Sequence, residues 1–483
     1  MHRLLPAGLL AALVLSGGCQ RYERAPLDLG VHRDEFLARS IDSQPLTEFA
    51  AQMREDPASA QAGFDLANGV SLAEGQAIAM VFNAKLRTER LRAGVTAASA
   101  EHAGLWEDPV LGVDLTRIIE SVTHPWKLGA TIGLTIPISG RLEHEKQLAG
   151  DEHAVELAKV AQAEWELRAE LQRAWARWSA LQTQQQVTGE FLQQAEQVLG
   201  VVDTMERAGE LSRTEARLFK IEQTARRADL QRVEAMIRQS ELEIRALLGL
   251  SPAAEVSLVA IPLGASGETA IAIRDGSGVD TSIGAGIGDG ASHPLLVVAQ
   301  AEYQASERTL ELEISKQVPD LSISPGYGRE EGQDQILFGF GLPIPILNGN
   351  RRAIEEARAA REAARGNAYE VQESLLSAIA IARAELEAAN RHRVLIESEL
   401  IPLVDAQDGD ARKLAQLGEV NTLVLLESLV RRQEAKVQLI EAMRDEELAA
   451  MRLSELLGPT PAALTHSENA PTSEQTVEGE EKP

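Results

Sequence analysis

The chain has one cysteine, Cys19, among 483 residues. A single cysteine forms no internal disulfide and supplies no Cys-rich zinc or iron–sulfur site. Aromatic residues are scarce at 4%, so there are few stacking platforms for sugars or bases. Positive charge is also short. Lys and Arg total 47 against 73 Asp and Glu, a formal net charge of −26. A surface this acidic repels phosphate backbones, which excludes general nucleic-acid binding. No apolar run is long enough for a transmembrane helix. No nucleophile with a base and orienter is recognisable, and no nucleotide loop or paired-acid cleft, so nothing suggests an enzyme or a bound cofactor. What remains, 25% charged and 44% hydrophobic residues, resembles an ordinary soluble protein.

The first residues depart from that impression. Arg3 precedes the apolar run Leu4 to Leu15, then Ser16, Gly17, Gly18 and Cys19. A short basic start, an apolar stretch of about a dozen residues and a small-residue site read as a secretory signal. The pattern resembles a lipoprotein signal with Cys19 as the lipidated residue. Here Ser16 occupies the position where Leu is usual, and a plain secretory cleavage is the alternative. Residues 1–18 are therefore expected to be a signal peptide and 19–70 an irregular, mostly extended lead-in. Residues 459–483 read as a disordered acidic tail.

Between these lies one unit written twice. Pro109 recurs as Pro319 at an offset of 210, and Pro137 as Pro345 at 208. Gly209 recurs as Gly418, and Leu247-Leu248-Gly249 as Leu456-Leu457-Gly458, both at 209. Four anchors in order define a duplicated domain, with units at 71–250 and 293–458. Each unit is predicted to run helix, strand, strand, very long helix, helix. In the first the elements span 72–104, 110–120, 126–138, 141–207 and 212–249. In the second they span 295–317, 320–329, 334–346, 351–416 and 420–457. Pro402 should kink the second long helix. The glycines of 251–292 mark an equatorial connector; they lack the Lys-Ser/Thr of a phosphate loop.

The strands alternate. Trp126, Leu128, Ala130, Ile132 and Leu134 interleave with Lys127, Gly129, Thr131 and Gly133. Ile336, Phe338, Phe340, Leu342, Ile344 and Ile346 do the same in the second unit. A half-buried sheet packed on helices would also alternate. Three features favour lipid: strands of membrane-crossing length, short turns, and neighbouring helices too long to fold back as a cover. Lipid tolerates no open sheet edge, and four strands cannot close a barrel. The barrel must then be shared between chains, and three chains would supply twelve strands.

The helix lengths agree. The long helices of 67 and 66 residues extend about 100 Å each. The first helix and the return helix, with 33 and 38 residues, sum to about 107 Å and can stack end to end beside the long one. Past the first tip, Leu211, Leu218 and Ala225 recur every seven residues, with Ile221 and Ala228 between, a partial seam toward a partner helix.

The duplicated region resembles the TolC-like outer-membrane efflux proteins. The resemblance is carried by GVSLAEGQAIAMVFNAKLRTERL, AGLWEDPVLGVDL, LTIPISGR, RAGELSRTEARL, PDLSISPGYGREEGQ, FGLPIPILNGNR and KLAQLGEVNTLVLLESL. The family's usual Asn-Pro is Asn83-Ala84 here. The resemblance implies a mostly α fold with a transmembrane β part. It implies a homotrimer with a 12-stranded outer-membrane β-barrel on a periplasmic α-helical barrel. It further implies docking to a periplasmic adaptor and an inner-membrane pump. PDLSISPGYGREEG and LPIPILNGNR look most like heavy-metal cation efflux channels. A lipid-anchored coiled-coil adaptor or scaffold, or the outer-membrane component of type I secretion, are the competing readings.

Within the family, carboxylates just past the tips line the periplasmic aperture. Glu215 and Glu427 stand there, and three Glu427 in a trimer would form a cation-favouring ring. Solvated helix glutamates are the plainer alternative. Val420 and Asn421 stand where some members carry a latching arginine. Gly209, Glu210, Gly418 and Glu419 form the tips expected to meet the adaptor. Trp126, Tyr327, Phe338 and Phe340 are expected on the barrel exterior, as interfacial or plain lipid-facing rings. Trp175 and Trp178 read as packing anchors. The nine histidines are scattered, and His144 and His153 face opposite sides of one helix, so no metal site is expected.

Overall fold

The computed structural model describes residues 22–41, 68–119, 125–263, 290, 292–330, 333–416 and 422–459. In chain order the elements are α1 (Leu29–Leu37), α2 (Leu72–Phe82), α3 (Ala84–Glu101), β1 (Val110–Arg117) and β2 (Trp126–Ile136). There follow α4 (Arg141–Ala208), α5 (Arg213–Leu248), α6 (Pro294–Ser315), β3 (Leu321–Glu330) and β4 (Gln333–Gly341). The chain continues through α7 (Arg351–Leu395), a π turn (Ile396–Leu400), α8 (Ile401–Gln416) and α9 (Thr422–Leu457). The duplication is visible as α3-β1-β2-α4-α5 repeated by α6-β3-β4-α7/α8-α9. Cys19, Gly418, Glu419, most of the Gly-rich connector and the acidic tail lie outside the described residues.

Helix α4 runs 68 residues between the flanking Gly140 and Gly209, both left-handed at φ 74° and 80°. It holds no proline, and Ala, Gln, Glu, Leu and Arg keep its propensity high. Gly209 ends it, and the Glu210 amide reaches back to the Met205 carbonyl at 3.0 Å, the usual closure at a left-handed glycine. Along its length α4 packs on α3 and α6 nearer the sheet and on α5 and α9 nearer the tip. Helix α7 flanks α6 and α9, and α8 flanks α9. The result is a palisade, α3–α4–α6–α7 above and α5–α4–α9–α8 below.

Two helix-to-helix joints make that stacking possible. At the first, Gly249 (φ 72°) ends α5 against the start of α3. A Cβ there would stand 2.3 Å from the Phe82 carbonyl oxygen. Asn83 caps α3 by accepting from the Leu86 amide at 3.0 Å, and its Nδ2 donates to the Leu247 carbonyl at 2.9 Å. At the second, Gly458 (φ 77°) ends α9, where a Cβ would stand 3.0 Å from His293 Cα. His293 Nδ1 accepts from the Leu295 amide at 3.1 Å, and Pro294 opens α6. The largest core sits at the first joint. Trp175 is fully buried, meets Trp178 edge-on at 6.2 Å, and donates to the Val259 carbonyl at 2.8 Å. The connector is pinned there by a parallel bridge between Val70 and Leu258.

Several sequence expectations are corrected. The helix expected over 72–104 is two, because Asn83 adopts an extended conformation (ψ 124°) and serves both ends. Helix α2 packs on α4 and α5. The lead-in, expected to be irregular, contains α1, capped by Asp28 accepting from the Gly30 and Val31 amides. The strand expected to reach residue 346 stops at Gly341, because Pro343 and Pro345 have no amide donor to extend the ladder. The kink expected at Pro402 takes the form of the π turn just before it, which shifts the carbonyl pattern where the proline has no donor.

The four strands form one antiparallel sheet in the order β1-β2-β3-β4. Register aligns Leu111 with Ile132, Val113 with Ala130 and Leu115 with Leu128. It aligns Ala130 with Tyr327, Tyr327 with Ile336, and Pro325 with Phe338. All the apolar alternants therefore share one face. Gly112, Thr131, Gly326, Ser324 and Gly339 share the other, where added bulk would collide: a Cβ at Gly326 would lie 2.7 Å from Thr131 Cγ2.

Candidate functional site

Among the described residues, no helix lies across either face of the sheet. Its apolar face is bare: Phe338 is 71% exposed, Phe340 77%, Trp126 54% and Tyr327 52%. All four sequence-predicted rings are on this face. Arg117 stacks on Trp126 with its guanidinium carbon 5.5 Å from the ring centre. Among the described residues, β1 and β4 each have one unpaired edge. The other face joins its charges across strands, as in the Lys127–Glu330 ion pair.

Where the sheet meets the helices, Arg141 of the first unit ties it to the second. It bonds Asp320 at 2.7 Å, Glu145 at 3.0 Å and Glu107 at 2.8 Å. Burial opposes its charge, but the bonds to Asp320 and Glu145 outweigh that and raise its pKa.

At the opposite end, Leu199, Val202, Leu211, Ala216 and Phe219 pack the first tip. Leu211 thus belongs to the tip core and not to the expected seam. Leu218, Ile221, Ala225 and Ala228 stay exposed along α5. Glu215 is the third residue of a capping box. Its backbone amide donates to Ser212 Oγ at 3.2 Å, and its carboxylate accepts from the Ser212 amide at 3.0 Å. The Ser212 bonds hold its pKa below the usual carboxylate range. Ser-x-x-Glu is a readable capping signal, and Ser71 with Glu74 repeats it at α2. Glu427 is exposed and faces Arg431 one turn on at 3.8 Å. Glu215 and Glu427 are on different hairpins, α5 and α9. Between the tip helices, two cavities hold about 10 and 20 Å³, no more than a water. Among the described residues, no group of three or more His, Cys, Asp or Glu is arranged for a metal.

This arrangement recurs in solved structures. The crystal structure of CusC, described for transmembrane channel formation, superposes with a TM-score of 0.66 at 15% identity, covering 80% of this chain and 92% of that one. The outer-membrane channel OprN gives 0.65 at 15% identity, over 92% and 98% of the two chains. The open-state outer-membrane channel MtrE of Neisseria gonorrhoeae gives 0.62 at 15%, over 80% and 88%. The chain therefore shares its fold with these outer-membrane channels. No family model matches the chain. Among curated proteins it is 23% identical over 171 residues to the cobalt-zinc-cadmium resistance protein CzcC of Cupriavidus metallidurans. That match covers 34% of this chain and 40% of the relative, so the chain spans less than half the length of the curated relative it matches.

Proposed function

We propose that the protein is the outer-membrane exit duct of a tripartite efflux system, assembled as a homotrimer and anchored through a lipidated Cys19. The carrying observation is the bare, continuous apolar face of a sheet whose two edges are unpaired. In lipid every backbone group must find a partner, so such a sheet has to close with other copies. Three copies of a four-stranded sheet give about twelve strands, enough for an aqueous lumen lined by the glycine and serine face. The exposed stripe on α5 and the exposed Ile381, Leu395 and Leu403 on α7 and α8 leave both palisade edges ready for neighbours. The likeness to outer-membrane channels supports the same reading. The protein is a passive conduit, and energy comes from an inner-membrane pump through a periplasmic adaptor docked at the tips around Gly209, Glu210, Gly418 and Glu419.

The relative's role in cobalt, zinc and cadmium resistance supports metal cations as cargo. A ring of three Glu427 would favour cations at the aperture, with Arg431 tempering it. Glu215, held by Ser212, serves the helix start. Membrane fractionation with heat-modifiable gel mobility tests the duct. A resistant trimer in the outer membrane is expected, and a monomer in the periplasm would instead support an adaptor or scaffold. In planar bilayers, Glu427→Gln should reduce cation selectivity; unchanged selectivity removes Glu427 from the aperture. Loss of metal tolerance on gene deletion identifies the cargo.

A further inference from the structure

The two units differ where the sheet joins the helices. In the first, Pro137 is followed by one exposed aliphatic, Ile138, and then by Arg141, which three carboxylates sequester. In the second, the matching stretch carries Ile344 at 73% exposure, Ile346 at 79% and Leu347 at 93%. Two prolines stiffen it, and the Ile346 amide bonds back to the Ile344 carbonyl at 2.9 Å across Pro345. The stretch is mounted firmly. Gln317 Nε2 donates to the Gly349 carbonyl at 3.1 Å, and Asn350 Nδ2 to the Glu313 carbonyl at 2.8 Å.

Two arginines follow at the first turn of α7. Arg351 is exposed and, among the described residues, has no acidic partner. Arg352 is 88% exposed and meets only Glu356 one turn on. Both arginines stand on the N-terminal turn of α7, the end of that helix nearest the sheet, with the guanidinium of Arg352 shared with Glu356. Ile344 and Ile346 also continue the alternation of Ile336, Phe338 and Phe340, the face that meets lipid in the proposed duct.

We infer that Ile344, Ile346 and Leu347 form a prong in the acyl boundary of the inner leaflet, with Arg351 and Arg352 on its lipid phosphates. This rests on the channel reading. Aliphatic groups on the sheet side of guanidinium groups match the order of acyl chains and headgroups at a membrane surface. Stiffening by the prolines lowers the ordering cost of insertion. Only the second unit carries the prong, so each subunit has one.

The test uses the full-length protein in phosphatidylethanolamine–phosphatidylglycerol vesicles. Ile344→Cys and, as a mid-sheet reference, Phe338→Cys each carry an environment-sensitive fluorophore. The unsubstituted chain, treated in parallel, gives any contribution of Cys19. Phospholipids brominated near the headgroup should remove most of the emission at position 344, and deeply brominated ones that at 338. If 338 is quenched while 344 is not, the prong is overturned. A blue-shifted but unquenched label at 344 would assign the segment to a neighbouring copy instead. If neither is quenched, the membrane reading itself fails. In the Ile344→Cys background, R351Q with R352Q should abolish any gain in quenching when phosphatidylglycerol replaces phosphatidylcholine. A gain that survives both substitutions overturns the arginine contribution.

Discussion

The two joints solve one problem with different residues. Each places a left-handed glycine at the end of a return helix against the capping residue of another helix, and Gly249 and Gly458 are 209 positions apart. The first joint is capped by Asn83 and carries the large tryptophan core. It is also clasped by the lead-in: Arg39 donates to the Gly249 carbonyl at 2.5 Å and lies over the rings of Phe36 and Phe82. The second is capped by buried His293 and set by Pro294, beside a small core of Leu375, Ile379, Ala382 and Leu453. After duplication, then, geometry stayed fixed at the glycines while the groups satisfying the helix ends diverged. The first joint relies on burial and a borrowed guanidinium, the second on proline and a titratable ring.

The largest effect expected is on the first core. Trp175→Ala should cost about 3–5 kcal/mol in denaturant titration, since the ring is fully buried and its Nε1 pins the connector. A near-neutral result would mean that the first joint does not depend on its core. Alanine at the two glycines sharpens the comparison. Gly249→Ala should cost about 3–4 kcal/mol, from a left-handed Cβ plus a backbone clash. Gly458→Ala should cost nearer about 2 kcal/mol, as its contact is looser. Equal losses would erase the asymmetry. Arg39→Ala should remove about 1–2 kcal/mol, the net worth of a charged donor on carbonyls. It should speed amide exchange at the first joint while leaving the second unchanged.

The smallest effect is the pH response. Burial lowers the pKa of His293 from its ordinary value of 6.5. Its neutral Nδ1 is the acceptor at the cap, so protonation removes the bond. The stability it contributes is present above the unfolded value and is lost as pH falls through the lower folded one. Thermal scans of the chain should show Tm dropping on acidification below about pH 6.5. His293→Asn, which copies the first joint, should flatten that part of the profile. A profile unchanged by the substitution would assign the acid response elsewhere.

Much of this fold was legible because its punctuation is chemical. Gly140, Gly209 and Gly249 end or start helices at the expected places, and the alternation from Trp126 to Leu134 put every apolar residue on the face where the structure has it. The break at Asn83 was not legible from proline, because Ala84 stands where proline would be expected. It was legible from the repeat, since Asn83-Ala84 matches His293-Pro294 at an offset of 210. Alternation alone overran β4, as Leu342, Ile344 and Ile346 keep the rhythm after the ladder has lost its donors. At the tip, proximity to Gly209 suggested an aperture for Glu215, and the Ser212 spacing independently marks the same residue as a helix cap. Contacts between distant residues, such as Arg39 with Gly249, leave no periodic trace in sequence.

The π turn before Pro402 has a further consequence for the second hairpin. Ile396 and Val404 are both buried although eight residues apart, a spacing that drifts about 80° on a regular helix. The wider turn takes up that drift, so the register of α8 is one residue out of phase with that of α7. Deleting one residue within Ile396–Leu400 would restore a regular helix with both faces in place, whereas winding all five residues as a regular helix would rotate everything below them by about 100°. Val404, Asp408 and Ala411 would then leave the packed side together. The second hairpin thus carries a vernier, which sets the face it shows at the tip independently of the face it shows near the sheet.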